Sequence, residues 1–293
     1  MANISVATNH LIDAVAERLT TNSPTRGRPN YATLGIGSQT PSTGSTSVTT
    51  PVPITYTDVD DCDSTTGWSA STDGSVALNT TDGEYIEGTG CLNLVKSGTT
   101  ATAVTFNKTT TSVDFTSKTL WTWVYFTALT DLATTNCVEV RFGSDSSNYY
   151  YRRWNKSDLT TGPNNLTMTT ATATGTTGSP VVTACDYYAI IITVDATSKT
   201  YTGNSVRLDH LLVATTSDTQ KTYYSGPTHS PAADTVTNVL RIGLQEAVGK
   251  PLTNVGWFLD TGEMYGIDQY NTDTKTQEEE MEYTDAIQFV PLP

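Results

Sequence analysis

Charge is scarce in this chain. Only 16% of its 293 residues are Asp, Glu, Lys or Arg, and 30 acidic against 16 basic residues leave a formal net charge of −14. A surface of that sign repels phosphate backbones, which argues against direct nucleic-acid binding. Long apolar runs are missing as well. None reaches the ~18 residues a membrane-spanning helix needs, so no membrane insertion is expected. The opening MANISVATNHLIDAVAERL has neither a basic start nor a continuous apolar core and does not read as a secretion signal. A protein of this kind is expected to stay in the cytosol or to leave by lysis.

The means of catalysis are also thin. There are three histidines, His10, His210 and His229, and no His-x-x-x-His pair. No Gly-x-Ser-x-Gly nucleophile turn is present. Gly35 and Gly37 lack the third glycine and the following helix of a dinucleotide-binding turn, and read better as a strand end. With 30 carboxylates, accidental pairs are inevitable, so a glycosidase-type pair stays open without being singled out. The expectation is a protein that is not an enzyme.

Four cysteines, Cys62, Cys91, Cys137 and Cys185, have spacings that match no zinc pattern. They read as four buried thiols or as two disulfides formed outside the cell, in which case Cys62–Cys91 and Cys137–Cys185 are the expected pairs.

Strand formers fill the chain. Thr and the 15 Tyr suit a pleated, half-buried surface. Only Thr8 to about Thr20 carries a helical period, with Leu11, Ile12, Val15, Ala16 and Leu19 on one stripe, Thr8 or Asn9 as cap and Pro24 beyond the end. After it, Tyr31–Gly37 and Val52–Tyr56 read as two strands around a Ser/Thr/Pro/Gly loop. From Thr57 to about Ser225, short β-rich runs recur: Ser75–Asn79, Cys91–Lys96, Thr102–Asn107, Leu120–Phe126, Val138–Phe142, Tyr149–Trp154, Tyr187–Val194 and Val206–Val213. Such a series suits two packed antiparallel sheets, a jelly roll. In Leu120–Phe126 either alternate set suits a core, so that strand is expected to be buried on both sides. The tail supplies Val239–Gly243, Leu252–Leu259, Glu263–Ile267 after an Asp260-Thr-Gly262 turn, and Glu278–Phe289. Its acidic run Gln277–Glu282 reads as a solvated edge or loop, with a cation site as the lesser reading.

The fold expected is therefore all-β: a jelly-roll β-sandwich, residues 57–230, inserted into a small discontinuous β base of residues 23–56 and 231–293, with a short N-terminal helix in residues 1–22. The two ends have no other partner with which to bury their strands, and chain termini of a compact domain often lie close together.

Two resemblances fit this layout. Tyr31–Ser42 (YATLGIGSQTPS), Leu252–Tyr265 (LTNVGWFLDTGEMY) and the closing Lys275–Phe289 resemble small β domains of tailed-phage structural proteins. That resemblance implies a base attached to a virus particle. Gly67-Trp68, Glu87–Leu94 (EGTGCLNL), Val138–Tyr149 (VEVRFGSDSSNY) and Val206–Val213 (VRLDHLLV) resemble jelly-roll carbohydrate-binding modules and their relatives on viral fibres. In that family an acid of the last strand often joins acids or carbonyls near the first to hold a structural Ca²⁺. The resemblance places Asp209 in the last strand, Asp58, Asp60, Asp61 and Asp63 near the first, and Glu87 before the Gly-x-Gly turn, with Asp61, Glu87 and Asp209 as the candidate ligands. The alternative is an acidic loop with Asp209 bonded to backbone amides.

A ligand face is suggested by Tyr149-Tyr-Tyr-Arg-Arg-Trp154. Tyr149, Tyr151 and Arg153 point one way and Tyr150, Arg152 and Trp154 the other. Sugar rings stack on exposed aromatics and Arg bonds hydroxyls, so Tyr149, Tyr151, Arg153 and Trp154 are the candidate glycan contacts. The alternative is that one set fills the core and the other lies on an ordinary sheet face. Together these readings lead to a virion structural protein of a tailed virus. It would be an appendage or decoration located in the virion, contacting other virion proteins and its own copies as a homo-oligomer. Its jelly roll would project for host-surface glycan adhesion or particle stabilisation. The second reading is a secreted carbohydrate-binding module or glycan-active enzyme.

Overall fold

The computed structural model describes residues 4–9, 11, 13, 29–36, 40–48, 50–223, 225–230, 235–243, 246–247, 251–274 and 280–288. The protein is built almost wholly of strands. In chain order they are β1 (Ile4–Ala7), β2 (Pro29–Ile36), β3 (Thr57–Asp60), β4 (Ser69–Ala70), β5 (Gly74–Asn79), β6 (Cys91–Lys96) and β7 (Ala103–Val113). There follow β8 (Thr119–Phe126), β9 (Val138–Asp145), β10 (Asn148–Trp154), β11 (Gly162–Met168), β12 (Gly175–Thr177), β13 (Cys185–Thr193) and β14 (Val206–Ala214). The series closes with β15 (Gln220–Thr222), β16 (Ser225–Ser230), β17 (Thr235–Ile242), β18 (Pro251–Leu259), β19 (Met264–Thr274) and β20 (Met281–Gln288). Most of the expected N-terminal helix, Thr8 to Thr20, lies outside the described residues, as do Gln277–Glu279 of the acidic run. No helix among the described residues is long and apolar enough to cross a membrane.

The chain divides into two compact units, residues 1–55 with 216–293, and residues 56–215. The return to the terminal unit comes at Thr216 and not at 231, because β15 already pairs with β2 through Gln220↔Thr33 and Thr222↔Tyr31.

The central unit consists of two six-stranded antiparallel sheets. One runs β12-β10-β9-β13-β7-β4, and the other β11-β8-β14-β6-β5 with β3 beside β14. Period-two alternation sorts their side chains. Along β9, Val138, Val140 and Phe142 turn inward to the core that Tyr188, Ile190 and Ile192 of β13 also enter. Leu120, Val124 and Phe126 of β8 meet them from the other sheet. Each such fully buried side chain stabilises the unit by roughly 1.5–3 kcal/mol. The other set of β8, Trp121 and Trp123, is buried as well, so this strand is covered on both faces. All four cysteines are buried free thiols. Burial pushes Cys91 up to about 12 and Cys137 and Cys185 up to about 11, so they act as small packed apolar groups.

The terminal unit has a five-stranded sheet, β1-β19-β18-β2-β15, and a three-stranded one, β16-β17-β20. β18 and β19 form a hairpin around Asp260–Gly262, where Gly262 adopts φ +88. Val48, Phe258, Met264 and Ile267 pack together, and Tyr31 stacks on Phe258 with ring centroids 5.0 Å apart. Trp257 is fully buried and donates from Nε1 to Asp268 Oδ2 at 2.6 Å. The strand expected over Val52–Tyr56 does not form. Pro51 and Pro53 carry no amide hydrogen for a ladder. Pro51 makes only an isolated bridge to Gly35, beside which the Val52 amide donates to the Leu34 carbonyl at 3.0 Å, and no ladder continues through the buried Val52 and Ile54.

One buried ammonium closes the end of the sandwich. Lys96, at the end of β6, is fully buried, and its Nζ donates to the carbonyls of Gly98 at 2.6 Å, Lys199 at 2.9 Å and Thr197 at 3.0 Å. Its three donors match three acceptors, so the charge is held by backbone dipoles where water would otherwise be needed. Replacing Lys96 with Met removes all three bonds and strands the carbonyls. Urea denaturation should show Lys96→Met less stable by about 2–4 kcal/mol. A surface control, Lys118→Met, should change stability by less than about 0.5 kcal/mol.

Candidate functional site

Two places in the central unit gather chemistry. The first is the outer face of the sheet containing β10, β9 and β13. Register puts Tyr149 opposite Gly143, Tyr151 opposite Arg141 and Arg153 opposite Glu139 on β9. On the other side of β9, Tyr187, Ala189 and Ile191 of β13 take the matching positions. Gly143 is what lets the tyrosines meet. A Cβ there would lie 2.2 Å from the Asn148 carbonyl oxygen and 2.4 Å from Tyr149 Cα, so only glycine fits. The rings of Tyr149 and Tyr187 sit 6.2 Å apart, and Tyr149 and Tyr151 meet edge to face at 6.3 Å.

The cations lie over this tyrosine layer. The Arg141 guanidinium is 4.7 Å from the Tyr149 centroid, and that of Arg153 is 4.7 Å from Tyr151. Glu139 holds both, accepting from Arg141 Nε at 2.6 Å on Oε1 and from Arg153 Nε at 2.5 Å on Oε2. That bond to Glu139 raises the Arg153 pKa further, and burial raises the Tyr187 phenol. The result is a firm, shallow platform. Tyr149 and Tyr187 are nearly covered, while Tyr151, Arg141 and Arg153 present surface to solvent.

Of the four expected ligand contacts, the structure brings Tyr149, Tyr151 and Arg153 together on this face. Trp154 is a correction. It lies on the opposite side of β10, 8% exposed, within the sandwich core. The parity of the strand dictates this, since a residue one step from Arg153 faces the other way. Glu139, Arg141 and Tyr187 were not foreseen. The alternation Glu139-Val-Arg141-Phe in β9 was the signal that could have found the first two.

The second place is an open cleft of about 460 Å³ lined by Asp58, Asp60, Asp61, Asp63, Glu87 and Gly88, among others. Most of its acids have fixed duties. Asp60 pairs with Lys108 and accepts the Cys62 amide at 3.0 Å. Asp61 accepts the Asp63 amide at 3.1 Å. Asp63 accepts the amides of Thr89 at 2.7 Å and Gly90 at 2.8 Å. It lies so close to Gly88 that a Cβ there would fall 2.0 Å from its Oδ2, and Gly88 has φ +69. Asp209 is fully buried and accepts Ile86 N on Oδ2 at 2.7 Å and His210 N on Oδ1 at 2.8 Å. Burial pushes its carboxyl up to about 8 although these amides pull the other way.

The residues expected to hold Ca²⁺, namely Asp61, Glu87 and Asp209, therefore do not form one donor set. Asp61 and Asp209 are turned to backbone amides. Glu87 turns to His210 Nε2 at 3.0 Å, and Asp58 Oδ1 lies 3.4 Å from the same nitrogen. The cause is a β-bulge in β14. Its pairing with β8 shifts between Asp209 and Leu211, and the extra residue, His210, takes φ +45. A bulge re-aims the side chain it carries. The imidazole is thereby fully buried against Tyr56, ring centroids 4.9 Å apart, and burial followed by Glu87 and Asp58 raises the Tyr56 phenol.

The opposite placement of Tyr151 and Trp154 is directly measurable. Trp154→Ala should lower unfolding stability by about 3–5 kcal/mol. Tyr151→Ala, on the platform, should cost less than about 1.5 kcal/mol. Equal losses in urea titrations would place both residues in the core.

No protein-family model and no curated protein matches the chain. Solved structures do resemble part of it. A family 11 carbohydrate-binding module from Clostridium thermocellum, in complex with a β-1,3-1,4-mixed-linked tetrasaccharide, matches over 54% of this chain and 95% of its own, with TM-score 0.38 and 8% identity. A structure described as an exo-β-agarase matches over 55% of this chain at TM-score 0.40 and 9% identity, and this chain spans 25% of it. Cellulose induced protein, Cip1, matches over 54% of this chain and 96% of its own, at TM-score 0.31 and 17% identity. The neighbours thus include carbohydrate-binding modules with jelly-roll-like β-sandwiches, at identities and scores that carry no argument about ligand.

Proposed function

We propose that this protein is a non-catalytic glycan-binding protein whose ligand face is the platform of Tyr149, Tyr151, Tyr187, Arg141, Arg153 and Glu139. One observation carries the reading: two arginines and a shared glutamate lie pre-organised over a tyrosine layer at the surface of a rigid sheet. Tyrosine presents an apolar ring with a polar tip, the two surfaces a pyranose ring also offers. Guanidinium N–H groups and the Glu139 carboxylate supply donors and acceptors for hydroxyls. Because Glu139 already fixes the arginines, a ligand orders few side chains on binding, which lowers the entropic cost of association. The platform is open and flat, which suits a polysaccharide chain laid across it better than a small molecule enclosed in a pocket.

The expected virion role, with location in the particle and homo-oligomeric assembly, rests on the two sequence resemblances and on the reading of the N-terminus. No feature of the described residues adds to it, and the glycan-binding reading takes its place.

Affinity electrophoresis through gels containing β-glucans, galactans, xylans or uronic-acid polysaccharides tests the platform. Retardation by at least one polysaccharide is expected, with binding weakened by tenfold or more in Tyr151→Ala and Arg153→Ala and unchanged in Val181→Ser. Migration unaffected by every polysaccharide, or variants that bind as well as the parent, would remove the platform as a ligand site. The same polysaccharides should release no new reducing ends. Turnover abolished by changing one carboxylate would make the protein an enzyme.

A further inference from the structure

The acidic cleft supports a conclusion independent of glycan binding. Among the described residues, three metal-competent side chains from three chain segments converge: Asp58 of β3, Glu87 of the segment between β5 and β6, and His210 of the β14 bulge, their ligand atoms all within 4.8 Å of one another. The neighbouring acids Asp60, Asp61, Asp63 and Asp209 are committed to amides or to Lys108 and leave this group with two carboxylates and one imidazole. The imidazole is fully buried, Glu87 is mostly buried, and Asp58 opens to solvent, so an ion has a route in.

We propose that Asp58 Oδ1, Glu87 Oε2 and His210 Nε2 form a three-ligand site for a borderline divalent transition ion of the Zn²⁺ class, and that Ca²⁺ is not its ligand. Calcium takes six to eight oxygen donors, and a buried ring nitrogen stands where those oxygens would have to be. Zinc accepts imidazole and carboxylate together, and such mixed donors are its usual protein ligands. Bonds of about 2.0–2.1 Å at tetrahedral angles set ligand atoms roughly 3.3 Å apart. The 3.0 Å and 3.4 Å separations at His210 Nε2 bracket that value. The fourth position faces the open cleft and is left to water.

The full chain, stripped with a chelator, is dialysed to equilibrium against ZnCl₂ or CaCl₂. Uptake of one Zn²⁺ per chain and a raised Tm are expected, with no Ca²⁺ retained under the same conditions. Co²⁺ in the same site should give the visible absorption of a low-coordinate ion bound to nitrogen. Asp58→Asn changes an exposed side chain and should keep the fold while weakening Zn²⁺ by tenfold or more; His210→Gln should weaken it further. If His210→Gln does not fold, Asp58→Asn with an unchanged apo melting curve carries the test. Equal Zn²⁺ uptake by parent and Asp58→Asn, preference for Ca²⁺, or no ion bound at all would overturn the site. The last outcome would make the group a histidine–carboxylate ion pair.

Discussion

The central unit depends on how β14 solves a conflict in its own sequence. All nine residues from Val206 to Ala214 are buried, yet three of them, Arg207, Asp209 and His210, are charged or titratable. Leaving any of them unpartnered in that position would cost several kcal/mol. The segment between β5 and β6 answers all three. Glu84 reaches Arg207 at 3.5 Å, the Ile86 amide donates to Asp209, and Glu87 approaches His210. Arg207 also lies 3.9 Å from the Tyr125 ring centroid. A loop that would otherwise wander is thus fixed residue by residue by one buried strand, and the acidic cleft is the outer rim of that arrangement.

The platform follows from a simpler constraint. Alternation lets one strand serve two surfaces, and β9 does so without exception from Val138 to Gly143: apolar residues inward, Glu139, Arg141 and Gly143 outward. The missing side chain at Gly143 is as much a part of the platform as the arginines, because it admits Tyr149.

Much of the strand order was legible because turn residues bracket clean β-rich runs. Cys91–Lys96 was placed to the residue, and Leu120–Phe126, Tyr149–Trp154 and Val206–Val213 to within one. The failures have physical causes. β11 opens Gly-Pro-Asn-Asn and β16 reads Ser-Gly-Pro-Thr-His-Ser, compositions that favour turns, so tertiary pairing overrode local preference in both. At the candidate sites, sequence gives the parity of a strand but not its sign. Parity alone separates Trp154 from Tyr149, Tyr151 and Arg153; what it leaves open is which of the two sets fills the core, and the structure gives Trp154 to it. The bulge at His210 was invisible for a further reason. No glycine or proline marks it, and one extra residue is enough to exchange the roles of Asp209 and His210.

The pairing of β3 bears on the order in which this protein can assemble. Thr57, at the start of the central unit, finds its partner Val213 at the far end of that unit. β2 waits longer still, for β15 and β18, and β1 waits for β19. During synthesis the first strands must therefore remain unpaired until nearly everything downstream has emerged. The central unit can close first and the unit made from both ends only afterwards. Contacts so distant along the chain make for slow folding and a long exposure of strand edges, a period in which a chaperone would have its chance to act.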